Sequence, residues 1–175
     1  MNIIKLGQQI PNTTYKIKKG PEYIIKNTRE EFKDKKILIL GIPGAFVSDY
    51  PSNMLAGYEY NFKKIIALGI DDIYCTTVHD YYVMRQWFKS ESIEQIKLFP
   101  DGNAQWAEQV GFDIDMSDSY MGTRSHRYAM LIDNNHLKRV FYEDFTHDPH
   151  TCFTETNAEK IIDFLEKTKN TWEKF

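Results

Sequence analysis

The stretch KKILILGIPGAFVSDYP, Lys35 to Pro51, opens as an unbroken apolar run and ends in a loop punctuated by glycine and proline. A strand with one wet face alternates polar and apolar residues, so a continuous run such as Lys35 to Pro43 predicts a central strand covered on both faces. Beyond Pro51 the period is helical. Leu55, Tyr58, Phe62, Ile65 and Ile66 fall on one stripe at helical spacing, with Glu59, Lys63 and Lys64 outside it. The spacing predicts one helix from about Pro51 to Leu68, closed by Gly69. Residues Gly41 to Pro51 are therefore a loop that presents something at the start of a helix, yet they hold no cysteine, lysine or histidine.

Working outward, the same two periods recur. DDIYCTTVHD reads as a second buried strand and DYYVMRQWFKSE as a second helix; IKLFPDG gives a short strand, and NAQWAEQVG a helix ending at Gly111. HRYAMLIDNNHLKRVFYED predicts a hairpin turning at Asp133-Asn134-Asn135. TETNAEKIIDFLEKTKN predicts a helix capped by Thr156 with Glu159 three residues on. Upstream, TYKIKKG and EYIIKN flank Gly20-Pro21 as a short hairpin, and Thr28 with Glu31 predicts a capping box for a short helix through Phe32. The order β-α-β-α-β-α-β-β-α defines an α/β sheet of mixed direction, and the thioredoxin arrangement satisfies it most economically.

Bulk properties narrow the partners. The 175 residues are 42% hydrophobic, enough for one domain, 1–175, with a sizeable core. A formal charge of −3 and scattered mixed clusters such as TREEFKDKK give no electrostatic case for nucleic acid or an anionic membrane. No run approaches the length of a membrane span, and MNIIKLGQQIPN lacks a signal-peptide core, so a cytoplasmic protein is expected. Two cysteines, Cys75 and Cys152, make no disulfide framework. Cys75 sits in a strand-like apolar run, where a buried inert thiol is expected and its side chain should face the core and away from the helix start. Cys152 lies in the polar segment THDPHTCFTET and is the better candidate for a reactive thiol.

Several blocks in order resemble the type-five (atypical two-cysteine) peroxiredoxins of the redoxin superfamily. IKLGQQIPN is similar to that family's N-terminal IKVGDxLPD, ILILGIPGAF to VVLFGVPGAF, and VHDYYVMRQW to VNDPFVMKAW. PDGNAQWAEQVGFDIDMSD is similar to ADGNGEFTKALGLELDLSD, and GTRSHRYAMLID to GVRSRRYALLVE. The resemblance implies a thioredoxin-like fold of the peroxiredoxin type, no cofactor, and a Pro-x-x-x-Thr-x-x-Cys loop whose thiolate attacks peroxide beside an arginine. Such chemistry needs the thiolate, which a helix N-terminus and a guanidinium stabilise. Carried over, the proline falls on Pro43 and the arginine on Arg127, with Gly44, Phe46, Asp49 and Arg124 as pocket neighbours. The threonine position is Val47 and the cysteine position is Tyr50. Valine donates no hydrogen bond, and a phenol near pKa 10 is neutral and holds no sulfur. Asp49 adds a carboxylate that opposes any thiolate. The resemblance thus implies a peroxiredoxin-like protein without the family's thiol chemistry, kept as a binding or regulatory module; the alternative is an oxidoreductase using Cys152 or Cys75.

Plain structural readings stand beside each residue. Tyr50 reads as packing in an abandoned pocket, and Arg127 as one half of an ion pair with Asp49, although a buried arginine also suits a small anionic ligand. Arg124 reads as solvated, and His79 and His126 as surface or supporting histidines. His147, His150 and Cys152, with Asp148, offer a weak metal set that matches no zinc-module spacing. Phe46, Tyr81, Tyr82 and Tyr120 would line a homodimer contact by analogy with relatives.

Overall fold

The computed structural model describes residues 3–47, 49–143 and 154–168, with no side-chain description for 49–53. Strand β3, Lys36–Gly41, lies at the centre of a five-stranded sheet. It pairs in parallel with β4, Asp72–Thr77, and antiparallel with β8, Tyr128–Asp133. With β5, Lys97–Pro100, and β9, His136–Tyr142, at the edges, the order is β5-β4-β3-β8-β9. Alternate β3 residues feed two separate clusters. Leu38 and Leu40 join Met54, Leu55, Trp87 and Ile161, while Ile37 and Ile39 join Phe32, Trp106, Phe112 and Met130. Both faces are dry, which is why the sequence does not alternate there. Each fully buried aliphatic side chain contributes about 1.5–3 kcal/mol.

The N-terminal hairpin forms as expected, β1 Thr14–Lys19 against β2 Glu22–Asn27. The turn between β8 and β9 holds Asn134 and Asn135 both at positive φ, the geometry that asparagine tolerates best after glycine. A small pair, β6 Asp113–Asp115 with β7 Thr123–Ser125, was not foreseen, because three-residue strands carry no readable period.

Three local expectations need correction. The long helix is two, α2 Asp49–Tyr60 and α3 Phe62–Ala67. Between them the Asn61 side chain donates to the Gly57 carbonyl at 2.9 Å, a local bond that competes with the helical ladder. Gly69, at φ +98°, does end the second. The cap of α1, Thr28–Glu31, is Asn27, whose Oδ1 accepts from Glu30 N–H; the Thr28 hydroxyl instead donates to the Pro11 carbonyl and accepts from Thr13 N–H. Likewise α6, Ala158–Lys167, is capped by Asn157, while the Thr156 hydroxyl donates to Glu143 at 2.7 Å. In both places asparagine, at least as good a cap, wins and the threonine makes a tertiary bond.

Glu143 is the acceptor for a whole segment. Its carboxylate takes hydrogen bonds from the Thr154 hydroxyl, Glu155 N–H and both the N–H and hydroxyl of Thr156. The remaining helices are α4, Tyr81–Ser90, capped by Asp80, and α5, Gln105–Val110, which ends at Gly111. Among the described residues no helix is long and apolar enough to cross a membrane.

Candidate functional site

Where β3 ends, the chain turns into the loop of Ile42 to Val47 that leads to α2. Ile42 N–H still donates to the Thr76 carbonyl at 3.0 Å, anchoring the loop base to β4. Pro43 and Gly44 are buried, Val47 is half-buried, and Phe46 stands out at 58% exposure with φ +60°. Gly44 is where the loop folds onto itself. A Cβ there would sit 2.3 Å from Val47 Cγ2 and 3.4 Å from His79 Cε1. Gly41 is held just as closely, since its added Cβ would lie 2.1 Å from the Tyr128 ring. That ring is fixed from behind by Trp106 Nε1, which donates to the Tyr128 hydroxyl at 2.9 Å.

Arg127 precedes Tyr128, the partner of Gly41, so it stands one position beyond the last pair of the ladder, beside Ile42 at the loop base. It is 2% exposed. Arg124, expected to be solvated, is instead half-buried. Its Nη1 donates to the Val78 carbonyl at 3.0 Å and to His79 Nε2 at 3.1 Å. With Nε2 accepting, Nδ1 carries the proton of the neutral ring and donates to the Thr77 hydroxyl at 3.4 Å. Burial first, and the Arg124 guanidinium second, push the imidazole down to about 4, so it is a neutral acceptor at pH 7. His126 is buried rather than on the surface. The Thr77–His79–Arg124 connection was not legible in the sequence; its only trace is a polar trio at the end of an apolar strand.

Tyr50 lies in the first turn of α2, and Asp49 opens that helix. Their side chains, and with them the expected Asp49–Arg127 pair, lie outside the described residues, as do His147, Asp148, His150 and Cys152. Cys75 is fully buried and sits with Leu40, Met54, Leu55 and Met84. It therefore faces the core, as expected, on the side of the sheet that carries Met54 and Leu55 of α2. Register nevertheless separates it from Arg127. Cys75 is level with Leu40 and Ala129, two residues deeper than Arg127 and two strands away, about 10 Å across the sheet. Burial pushes its thiol well above the ordinary range. The loop turns into a twelve-residue helix at one end of the sheet, with the Arg124–His79 pair beside its base and the buried Arg127 one position beyond the ladder.

A parallel-antiparallel sheet of this order, with a proline-bearing loop entering a helix beside a buried arginine, places the chain among the thioredoxin-like α/β proteins. The Redoxin family matches residues 5–162, and the chain belongs to that family. A peroxiredoxin of Synechocystis sp. is 35% identical over 142 residues, covering 80% of this chain and 75% of that protein. Among solved structures, reduced Prx3 of Vibrio vulnificus in complex with hydrogen peroxide superposes with a TM-score of 0.85 at 31% identity, covering 93% of this chain and 99% of that one. The Plasmodium falciparum antioxidant protein, a 1-Cys peroxiredoxin, gives a TM-score of 0.85 at 31% identity over 94% and 99%. The fold is thus the thioredoxin-like fold of the peroxiredoxins, with a mixed central sheet flanked by helices.

Proposed function

We propose that this peroxiredoxin-like protein, of type-five affinity, lacks thiol peroxidase activity and serves as a binding or regulatory module. The observation that carries this is the pair Val47 and Tyr50, standing where the family pattern has threonine and cysteine. Neither side chain can form a sulfenic acid or align a peroxide for attack by sulfur. The burial of Cys75 supports the reading against a relocated mechanism at that thiol. What remains is a cationic cradle, Arg127 with Arg124, suited to a small carboxylate or phosphate. As part of the same proposal, the protein is a single cytoplasmic domain. It pairs with a second copy through the aromatics Phe46, Tyr81, Tyr82 and Tyr120, of which Phe46, Tyr82 and Tyr120 are exposed.

The test is peroxide consumption with a thioredoxin or glutathione supply. The native chain is expected to match a variant lacking both cysteines, and Val47→Thr with Tyr50→Cys is expected to gain turnover. Native turnover well above the Cys-less control overturns the proposal. A thermal-shift screen of small carboxylates and phosphates reads the binding role, with hits expected to vanish in Arg127→Ala.

A further inference from the structure

A groove of about 600 Å³ runs between the N-terminal hairpin and α4, away from the loop of Ile42 to Val47. Its floor and walls are apolar, formed by Ile17, Tyr74, Phe88, Ile93, Ile96 and Leu98. Five basic side chains line it, Lys18, Lys26, Arg85, Lys89 and Lys97, against one acid, Glu94. Two of the five are already neutralised, Lys26 by Glu31 at 2.6 Å and Lys97 by Asp72 at 2.5 Å. Three are left over, in a chain whose formal charge is −3.

Arg85 and Lys89 are one helical turn apart on α4, so they share a face. Like charges at that spacing weaken a helix by a few tenths of a kcal/mol unless something anionic sits between them. No residue three or four positions from either is acidic, and neither has an ion-pair or hydrogen-bond partner among the described residues. The second observation is independent. The Tyr15 side chain is 95% buried, lines the same groove, and its hydroxyl has no hydrogen-bond partner. Burial and the nearby Glu31 and Asp72 keep that phenol protonated, so it is a standing donor. A buried polar group left unsatisfied costs about 1–3 kcal/mol, which a ligand atom at that point removes.

We propose that this groove binds a small amphiphilic organic anion. Its flat apolar body lies on Phe88 and Leu98, and its carboxylate, sulfonate or phosphate is held by Arg85 and Lys89. The volume suits a ligand of drug-like size, and the combination of apolar walls with a few cations selects that chemistry over either half alone. The site is distinct from the cradle of Arg127 and stands whether or not the peroxidase proposal does.

The probe is 8-anilinonaphthalene-1-sulfonate, read by fluorescence on the full chain. The native protein is expected to bind it saturably. R85E/K89E, and the milder R85Q/K89Q, are expected to weaken binding at least about tenfold with unchanged circular dichroism. K138E, the same kind of charge reversal on the opposite edge strand, is expected to leave binding within about twofold. 2-Naphthoate and 1-naphthyl phosphate should displace the probe, their ranking telling carboxylate from phosphate preference, whereas uncharged 2-naphthol should not. No saturable binding overturns the proposal. So does native-like binding by R85E/K89E, a K138E loss as large as theirs, or displacement by 2-naphthol as effective as by 2-naphthoate.

Discussion

Arg124 donates to His79 Nε2 at 3.1 Å across 45 residues of sequence. The bond joins β7 to the segment just after β4, and it adds to burial in keeping the imidazole neutral beside the loop at the start of α2. An imidazolium there would face a guanidinium, so the pair works only with His79 as acceptor.

The first prediction reads that pairing directly. In an NMR titration His79 is expected to titrate near 4, and Arg124→Ala to move the midpoint upward, though not to the ordinary value because burial is the larger cause. An unmoved midpoint shows that the guanidinium does not hold the imidazole neutral.

Stability against pH depends on two groups of opposite sign. His79 is depressed in the fold, so between about 6.5 and about 4 the unfolded chain takes up a proton that the folded one refuses, and stability falls with acidification. Half-exposure and solvent screening limit this to roughly 1–2 kcal/mol. Asp101 is raised to about 6, mainly by burial, although its carboxylate accepts from Trp106 and Ala107 N–H. Its contribution is full below about 4 and is lost as pH rises to 6. Relative to the native chain, His79→Gln is expected to lose stability from pH 4 toward 6, and Asp101→Asn from pH 6 toward 4. Urea unfolding at the two ends of that window measures both, and parallel profiles for the three proteins refute the assignment.

Gly41→Ala is expected to cost about 3 kcal/mol, because the methyl meets the Tyr128 ring with no room to yield. In a Tyr128→Leu background the same change should cost at least about 1 kcal/mol less. Additive costs in denaturant melts put the strain somewhere other than this contact.

Cys75 should behave as a small apolar residue. In a Cys152→Ser protein, Ellman's reagent is expected to find no thiol in the folded state and one after denaturation. Rapid labelling of the folded variant means that the core opens at β4.

The central strand, the alternation of strands and helices, and the Asn134-Asn135 turn could all be read in the sequence, since each depends on period or turn chemistry local to a few residues. The caps at Asn27 and Asn157 were misplaced by one position because each stands beside a threonine, and only tertiary partners, Pro11 with Thr13 and then Glu143, decide which residue caps. The break at Asn61 hid inside a continuous apolar stripe. The loop of Pro43 to Val47 was legible as the turn from strand into helix, and family resemblance singled out Arg127, which is buried. The engagement of Arg124 was not, because its partners, Val78 and His79, lie 46 and 45 residues away in sequence and only the tertiary fold brings them to it.

The carboxylate of Glu143 has a practical consequence. It binds the chain again at Thr154 to Thr156, so the end of β9 and the entry to α6 are clamped to each other by one carboxylate. A single acidic side chain is thus the latch that registers the last helix on the last strand, and a change at Glu143 is felt by both.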